Sequence, residues 1–538
     1  MEQIETFVIL FATIVLVGHI FNKSIIPISL LLVITGMILS LFPVFPHVTL
    51  NPKIVLDIFL PILVYQISAF FSLREFKKNL RPISLLSIGH VIFITMLVAW
   101  IIHALIPQLG WPLAFVLGAV VSPPDSVAIV SIAEKIRMPS RIVTILEGEG
   151  MLNDAAALIL FRFALVAVVT HEFSAIHAIS AFFAVVIGET LYGFALGYLI
   201  GELRLKIDNS MLQLIASLLT PFIAYIPAER LGGSGVLATV ITGLVIGHRL
   251  TLRISPEFRL IYRTIWPAIT FTIQSILFLL VGLNMESIMR SISSIPLRDL
   301  LLYGTSVTLA VIIGRFFWVY VAVYYLPRAL FPSIRKKDPY APWQYPFVTS
   351  WAGMRGAISL AAAFAIPFLP STINSANPRA LIIFLVFCVI TATLLLQGLT
   401  LPWILKVIGI KKYGQTEKHN EYLSELNARL EITKAVLHWL PKYKMEVKDN
   451  TRLVDEINWR IEKYKILKIQ LEEGIEKHNG VLEHDEKMEA MNEVFLVSQV
   501  IEVQRAKLLE LWYNEKISLV TRNKLLENLD YRTKRLLG

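Results

Sequence analysis

Apolar stretches long enough to cross a bilayer recur along the first 405 residues, each ended by a short polar or charged interval. They fall near residues 6–21, 25–42, 54–71, 83–106, 111–132, 142–169, 173–200, 211–226, 235–247, 265–283, 301–326, 346–367 and 380–405. Coiled as an α-helix, about twenty such residues match the hydrocarbon core of a membrane. The pattern predicts an all-α, polytopic membrane protein of about 13 transmembrane helices. The ninth run is short, and residues 250–263 leave room for an interfacial turn. After residue 410 the pattern changes: Glu and Lys interleave with Leu, Ile and Val at three-to-four spacing over 421–440, 452–471 and 486–511. That is the signature of solvated helices. The chain therefore divides into a transmembrane domain, 1–410, and a C-terminal helical tail, 411–538.

Charge placement orients this arrangement. Basic clusters occupy every second loop: Arg74, Lys77, Lys78 and Arg81; Lys135, Arg137 and Arg141; Arg204 and Lys206; Arg249, Arg253, Arg259 and Arg263; Arg328, Arg335, Lys336 and Lys337. The intervening loops are nearly free of them, except one in which Arg290 and Arg298 are offset by Glu286 and Asp299. Basic loops face the cytoplasm. An odd number of helices then puts the N-terminus outside and the tail in the cytosol. Residues 411–538 hold 23 basic and 22 acidic side chains, so nearly all of the net +10 belongs to the membrane domain. Aromatic residues are not interleaved with the Lys and Arg clusters, which argues against nucleic acid as a partner. A single cysteine, Cys388, excludes an intramolecular disulfide and a cysteine metal cluster. No cofactor motif or phosphate loop is present. Glu2 and Glu5 stand where a signal peptide would carry basic residues, so the first run reads as a retained helix.

Two runs break their own helical pattern. The fifth contains Ser122-Pro123-Pro124-Asp125-Ser126, and the twelfth contains Ala352-Gly353-Met354-Arg355-Gly356. Tandem prolines forbid a regular helix, and flanking glycines relax one. If the seventh helix links two six-helix halves, each break lies in the fifth helix of its half. Matching interruptions of this kind mark two inverted repeats whose broken helices cross at a midplane ion site. The opposite charges at the breaks, Asp125 and Arg355, suit the partial charges of exposed helix ends.

Five ionisable residues lie deep in apolar runs: Asp125, Glu149, Asp154, Arg315 and Arg355. Unpaired, they would together cost roughly 12–17 kcal/mol. Glu149 and Asp154 are five residues apart, which separates them by about 140° and about 7.5 Å on a helix. They cannot share a face. One can bond a neighbouring helix while the other meets an aqueous cavity, and Arg315 is the natural partner for whichever is structural. A buried carboxylate near a second one, as Asp154 is expected to be near Asp125, can hold a proton or a small cation, not both. Such exclusivity is the basis of proton-coupled antiport. A channel with the same helices, or a membrane sensor signalling through the tail, are the competing readings.

Gly148-Glu149-Gly150-Met151-Leu152-Asn153-Asp154 resembles the Gly-Glu-Ser-Leu-Leu-Asn-Asp signature of the monovalent cation:proton antiporter-1 family, the sodium/proton exchangers. The resemblance extends over residues 5–410. It includes Trp351-Ala352-Gly353-Met354-Arg355-Gly356-Ala357, Ala228-Glu229-Arg230-Leu231 with Ser234-Gly235-Val236, and Gln397-Gly398-Leu399-Thr400-Leu401-Pro402. Pro123-Pro124-Asp125-Ser126-Val127-Ala128 is similar to the family's Thr-Asp-Pro element. The resemblance implies that Asp154 carries Na+ (or Li+ or K+) and H+ in turn, with Asn153 orienting the site. Asp125 and the Pro124 backbone would border the transient cation, Glu149 would pair with Arg315, and Arg355 would stabilise the second break. It also implies a homodimer in a bacterial plasma membrane, a core bundle moving against a dimerisation scaffold, and electroneutral exchange for an Asn-Asp pair. Two departures stand out: Pro124 replaces the family's Thr, and Gly150 its Ser, so two hydroxyls are missing. Among the remaining polar residues, His90 and His103 read as satisfied or interfacial, Gln274 as cavity-lining or packing, and Arg162 as snorkelling to the outer interface.

Overall fold

The computed structural model describes residues 2–21, 28–42, 55–125, 138–170, 175–250, 253, 255–338, 342–367, 377–446 and 451–479, with 504, 506–508, 510 and 525. Among these no strand occurs; the chain is helical, with short 3-10 and π-helical turns. The first stretch holds α1 (Glu2–Ile20), α2 (Ile28–Ser40), α3 (Leu60–Phe70), α4 (His90–Leu105) and α5 (Gly110–Val121). Next come α6 (Ser140–Thr170), α7 (Ala175–Leu205), α8 (Ser210–Arg230), α9 (Val236–Leu250), α10 (Pro256–Ser291) and α11 (Leu297–Trp318). The second interruption separates α12 (Gln344–Trp351) from α13 (Ala357–Phe364), and α14 (Pro378–Thr393) and α15 (Leu399–Val407) follow. Seven described helices are long and apolar enough to cross a membrane, with shorter apolar helices beside them. The chain is a multi-pass membrane protein.

Two elements differ from the sequence expectation. The expected turn within 250–263 is largely helix: α10 starts at Pro256, where the Ser255 hydroxyl accepts the Phe258 N–H at 3.2 Å and proline occupies the first helical position. The tail helices are longer than their periodic cores, running as α16 (Ile410–Glu446) and α17 (Thr451–Asn479). The expected helix 486–511 lies almost wholly outside the described residues. The chain separates into two compact units, Met1–Glu417 and Lys418–Gly538.

Small residues set the close crossings in the first unit, as expected where lipid gives helices no hydrophobic reason to associate. A Cβ on Gly36 of α2 would run into the Leu279 carbonyl of α10, and one on Gly282 into the Val33 carbonyl. Gly243 and Gly247 of α9 rest in the same way on Ser68 and Ala69 of α3. α6 runs through the interior, with every residue from Met151 to Ile159 buried except Leu152. α4 packs on α5 and α11, and α11 packs on α14.

At one loop a carboxylate gathers three arginines. Asp338 accepts from Arg81 Nη2 at 2.5 Å, Arg141 Nη2 at 2.6 Å and Arg328 Nη2 at 2.8 Å, tying three separate segments together. Burial alone would push the Asp338 carboxyl up. The Arg141 hydrogen bond and the charges of Arg141, Arg328 and Arg81 outweigh it and hold the carboxyl below its ordinary value. Its contribution to stability is therefore complete above the ordinary carboxylate range and is lost as pH falls through the lower folded value.

A second buried carboxylate was not singled out from the sequence. Glu189 of α7 is 4% exposed and caps the N-terminus of α9. It accepts the backbone N–H groups of Ser234, Gly235 (3.0 Å) and Ala238 (3.1 Å), and the Ser234 hydroxyl at 3.2 Å. The turn into α9 passes through Gly235 at φ +69°, a left-handed conformation that glycine adopts without a Cβ penalty. Orphaning these buried donors costs about 1–3 kcal/mol by the usual magnitude for lost polar partners. Glu189→Ala should therefore lower the melting temperature of the purified protein in detergent by several degrees; an unchanged melting curve would show that the cap carries no stability.

Candidate ion site

The two interruptions meet inside the first unit. α5 ends at Val121, and the tandem prolines after Ser122 supply no N–H to continue its hydrogen-bond ladder. The Arg355 side chain takes up the exposed carbonyls, donating from Nε to Val121 O at 2.9 Å and from Nη2 to Ser122 O at 3.2 Å. Its Nη1 turns back to Gly353 O. Arg355 is fully buried, so the negative end of α5 is matched by a cation at close range. The backbones are also joined directly: the Asp125 N–H donates to Met354 O at 2.6 Å, and the Arg355 N–H to Thr393 Oγ1 of α14 at 3.2 Å. A Cβ at Gly356 would collide with the Asp125 carboxylate, which therefore lies against the residue that precedes α13.

α6 sends its two carboxylates apart, as the five-residue spacing requires. Glu149 forms a bidentate pair with Arg315 of α11, Oε1 to Nη1 at 2.5 Å and Oε2 to Nη2 at 2.8 Å, both side chains 1% exposed. The Thr349 carbonyl of α12 accepts from Arg315 Nε at 3.2 Å and Nη2 at 2.9 Å, and Gly353 presses on the same side chain. Asn153, fully buried, donates from Nδ2 to Pro124 O at 2.8 Å, which locks α6 to the first break. Asp154 faces elsewhere. It borders a cavity of about 30 Å³ with Pro123, Pro124, Asp125, Gly150, Gly356, Ile358 and Ser359. Leu63 and Ile67 of α3 and Gln274 of α10 complete the lining. That volume is room for about one water or one small cation.

The arrangement brings together the α6 carboxylates, the two interruptions and Arg315 singled out from the sequence. Asp154, Asp125 and Pro124 line the cavity, with Asn153 bonded to its wall; Ser122, Pro123, Gly353, Arg355 and Gly356 build the crossing; Glu149 and Arg315 pair beside it. Gln274 lines the cavity. Thr349, Thr393 and Ser359 went unnoticed because single hydroxyl residues in apolar runs carry no periodic signal. One weaker reading is corrected, and another gains detail. Arg162 also has partners within the protein: its Nη2 donates to Glu229 Oε1 at 2.7 Å and its Nη1 to the Gly233 carbonyl. His90 is neither interfacial nor satisfied; it is fully buried, and neither ring nitrogen has a partner among the described residues. His103 stacks on Trp111 with ring centroids 4.2 Å apart.

Comparison with known families bears on what this crossing is. The family model described as "Sodium/hydrogen exchanger, transmembrane" matches residues 7–407. The chain belongs to the sodium/hydrogen exchanger family. This exchanger is 32% identical over 404 residues to a sodium, potassium, lithium and rubidium/proton antiporter of Bacillus pumilus, across 72% of its own length but 59% of that protein's. It is 30% identical over 444 residues to the Na+/H+ antiporter ApNhaP of Aphanothece halophytica, covering 81% of this chain and 80% of that protein. Its fold is similar to that of the sodium proton antiporter MjNhaP1 from Methanocaldococcus jannaschii, with a TM-score of 0.58 at 18% identity over 75% of this chain and 98% of that one.

Neither Glu149 nor Arg315 lines the cavity, so their pairing can be tested apart from it. Removing one partner leaves an uncompensated buried charge, at a cost of about 3–5 kcal/mol. Glu149→Gln and Arg315→Met should each sharply reduce the yield of folded protein by size-exclusion chromatography, and Glu149→Gln combined with Arg315→Met should recover part of it. A double variant no better folded than the worse single one would contradict the pairing.

Proposed function

We propose that this exchanger is a secondary active antiporter that moves Na+ (or Li+ or K+) against H+, with Asp154 as the group shared by both. The observation that carries this reading is the small cavity in which Asp154 and Asp125 converge on the freed backbone of two interrupted helices. Carboxylate and carbonyl oxygens are the ligands a hard cation requires. A protonated Asp154 cannot hold the cation, and a cation-bound Asp154 cannot hold the proton.

Exchange becomes obligatory through the cost of moving an empty charged site. An uncompensated carboxylate at the bilayer centre costs roughly 2.5–3.5 kcal/mol, a bias of about a hundredfold against reorienting unloaded. The site reorients loaded with one ion or the other. With Asn153 bonded to Pro124 O, a single titrating carboxylate on α6 serves the cavity, which supports electroneutral one-for-one exchange. The alternation of basic and neutral loops supports a multi-pass orientation with the N-terminus outside and the helical tail, 411–538, in the cytosol of a bacterium. Homodimers in the plasma membrane complete the proposal.

The test uses purified protein in liposomes with an internal pH dye and an imposed cation gradient. Wild type should move protons in response to sodium, lithium or potassium, independently of a clamped membrane potential. Asp154→Asn should abolish the signal, at least a hundredfold below wild type. Proton movement by Asp154→Asn at the wild-type rate, or none by wild type with all three cations, would overturn the reading.

A further inference from the structure

Two side-chain oxygens that the family's signature would supply are missing from this cavity: Pro124 and Gly150 both line it and neither offers a hydroxyl. A small cation stripped of water is held by several oxygens at once. Besides Asp154, Asp125 and Gln274, the described lining holds one hydroxyl side chain, that of Ser359.

Ser359 is 3% exposed and borders the cavity with Asp154 and Asp125. It also lines the adjoining small cavity that reaches Asp154 from the side of Ala157 and Phe161. Its position differs from that of three other buried helical serines. Ser68, Ser87 and Ser350 each return a hydrogen bond to the carbonyl four residues earlier, at 3.0, 2.7 and 2.7 Å. Ser359 sits in the first turn of α13, and the residue four before it, Arg355, belongs to the interruption and not to the helix. Its usual acceptor thus lies outside the helix, and its hydroxyl is on the wall of the cavity, within the reach of whatever occupies it.

We propose that Ser359 is a cation ligand, supplying from the second interrupted helix the hydroxyl that Gly150 no longer provides from α6. The assignment rests on the antiport reading above. The transported ion is thereby held by both interrupted helices: by Asp125 and the proline carbonyls of the first, and by the Ser359 oxygen of the second. A neutral hard oxygen matters most for the ions most costly to dehydrate, so its influence falls in the order lithium, sodium, potassium.

The experiment measures cation-dependent proton movement in liposomes for wild type, Ser359→Ala, Ser359→Thr and the double variant Gly150→Ser/Ser359→Ala. Ser359→Ala should raise the apparent KM for sodium and lithium at least fivefold, change that for potassium less, and leave the rate at saturating cation within about twofold. Ser359→Thr should stay near wild type, and Gly150→Ser/Ser359→Ala should regain at least half of the lost affinity. In detergent, the rise in melting temperature produced by sodium chloride over choline chloride should shrink in Ser359→Ala alone, a readout that needs no transport. An unchanged KM and an unchanged sodium-dependent melting shift in folded Ser359→Ala would overturn the assignment while leaving antiport intact. Absence of exchange in wild type would instead overturn the function on which it rests.

Discussion

A helix interrupted in the middle of a bilayer leaves carbonyl and N–H groups with no water to turn to, and each one left so costs several kcal/mol. The interior of this exchanger is organised around meeting that demand. Arg355 closes the carbonyls at the end of α5, the Asp125 N–H closes Met354 O, Thr393 receives the Arg355 N–H, and Asn153 is held to Pro124 O. Each repair uses a group from a different helix, so the two breaks, α6 and α14 are fixed relative to one another by the same bonds that make the breaks affordable. The Glu149–Arg315 pair extends this frame to α11 and, through Thr349 O, to α12.

What the frame leaves over is chemically informative. Glu149 has its charge matched by a guanidinium at two points, whereas Asp154 looks into a space with room for one small ion. Identical chemistry five residues apart thus receives opposite treatment, and the helical repeat alone dictates that it must. A fixed counter-charge suits a carboxylate to a structural role, whereas a cavity leaves room for an exchanging partner.

Much of this was legible in the sequence because membrane constraints are strict. Length and hydropathy located the helices, tandem prolines and paired glycines located the breaks, and charges in apolar runs flagged Asp125, Glu149, Asp154, Arg315 and Arg355. The α10 start was misread because a Ser-Pro cap permits a helix to begin in polar sequence ahead of the apolar run. Glu189 escaped notice because its partners are backbone N–H groups, which leave no trace in residue type. The partners of Arg162 were hidden for a related reason: Glu229 and a glycine carbonyl come together only when α6 meets the end of α8. Ser359 is a case of the same kind, since its distinction lies in its place on the cavity wall.

The cavity's lining is mixed in composition, and this has a mechanical meaning. Asp154, Asp125 and the two prolines belong to the bonded frame of α6 and the first interruption, and Ser359 to the helix that follows the second. The hydrocarbon side chains Leu63 and Ile67 of α3 line the same cavity, with Gln274 of α10. On the antiport reading, a slide of α3 and α10 past this frame would move hydrocarbon over the cavity and leave the carboxylates in step. The seal would then work as a lubricated bearing, with friction set by methyl groups and not by the breaking of ionic bonds.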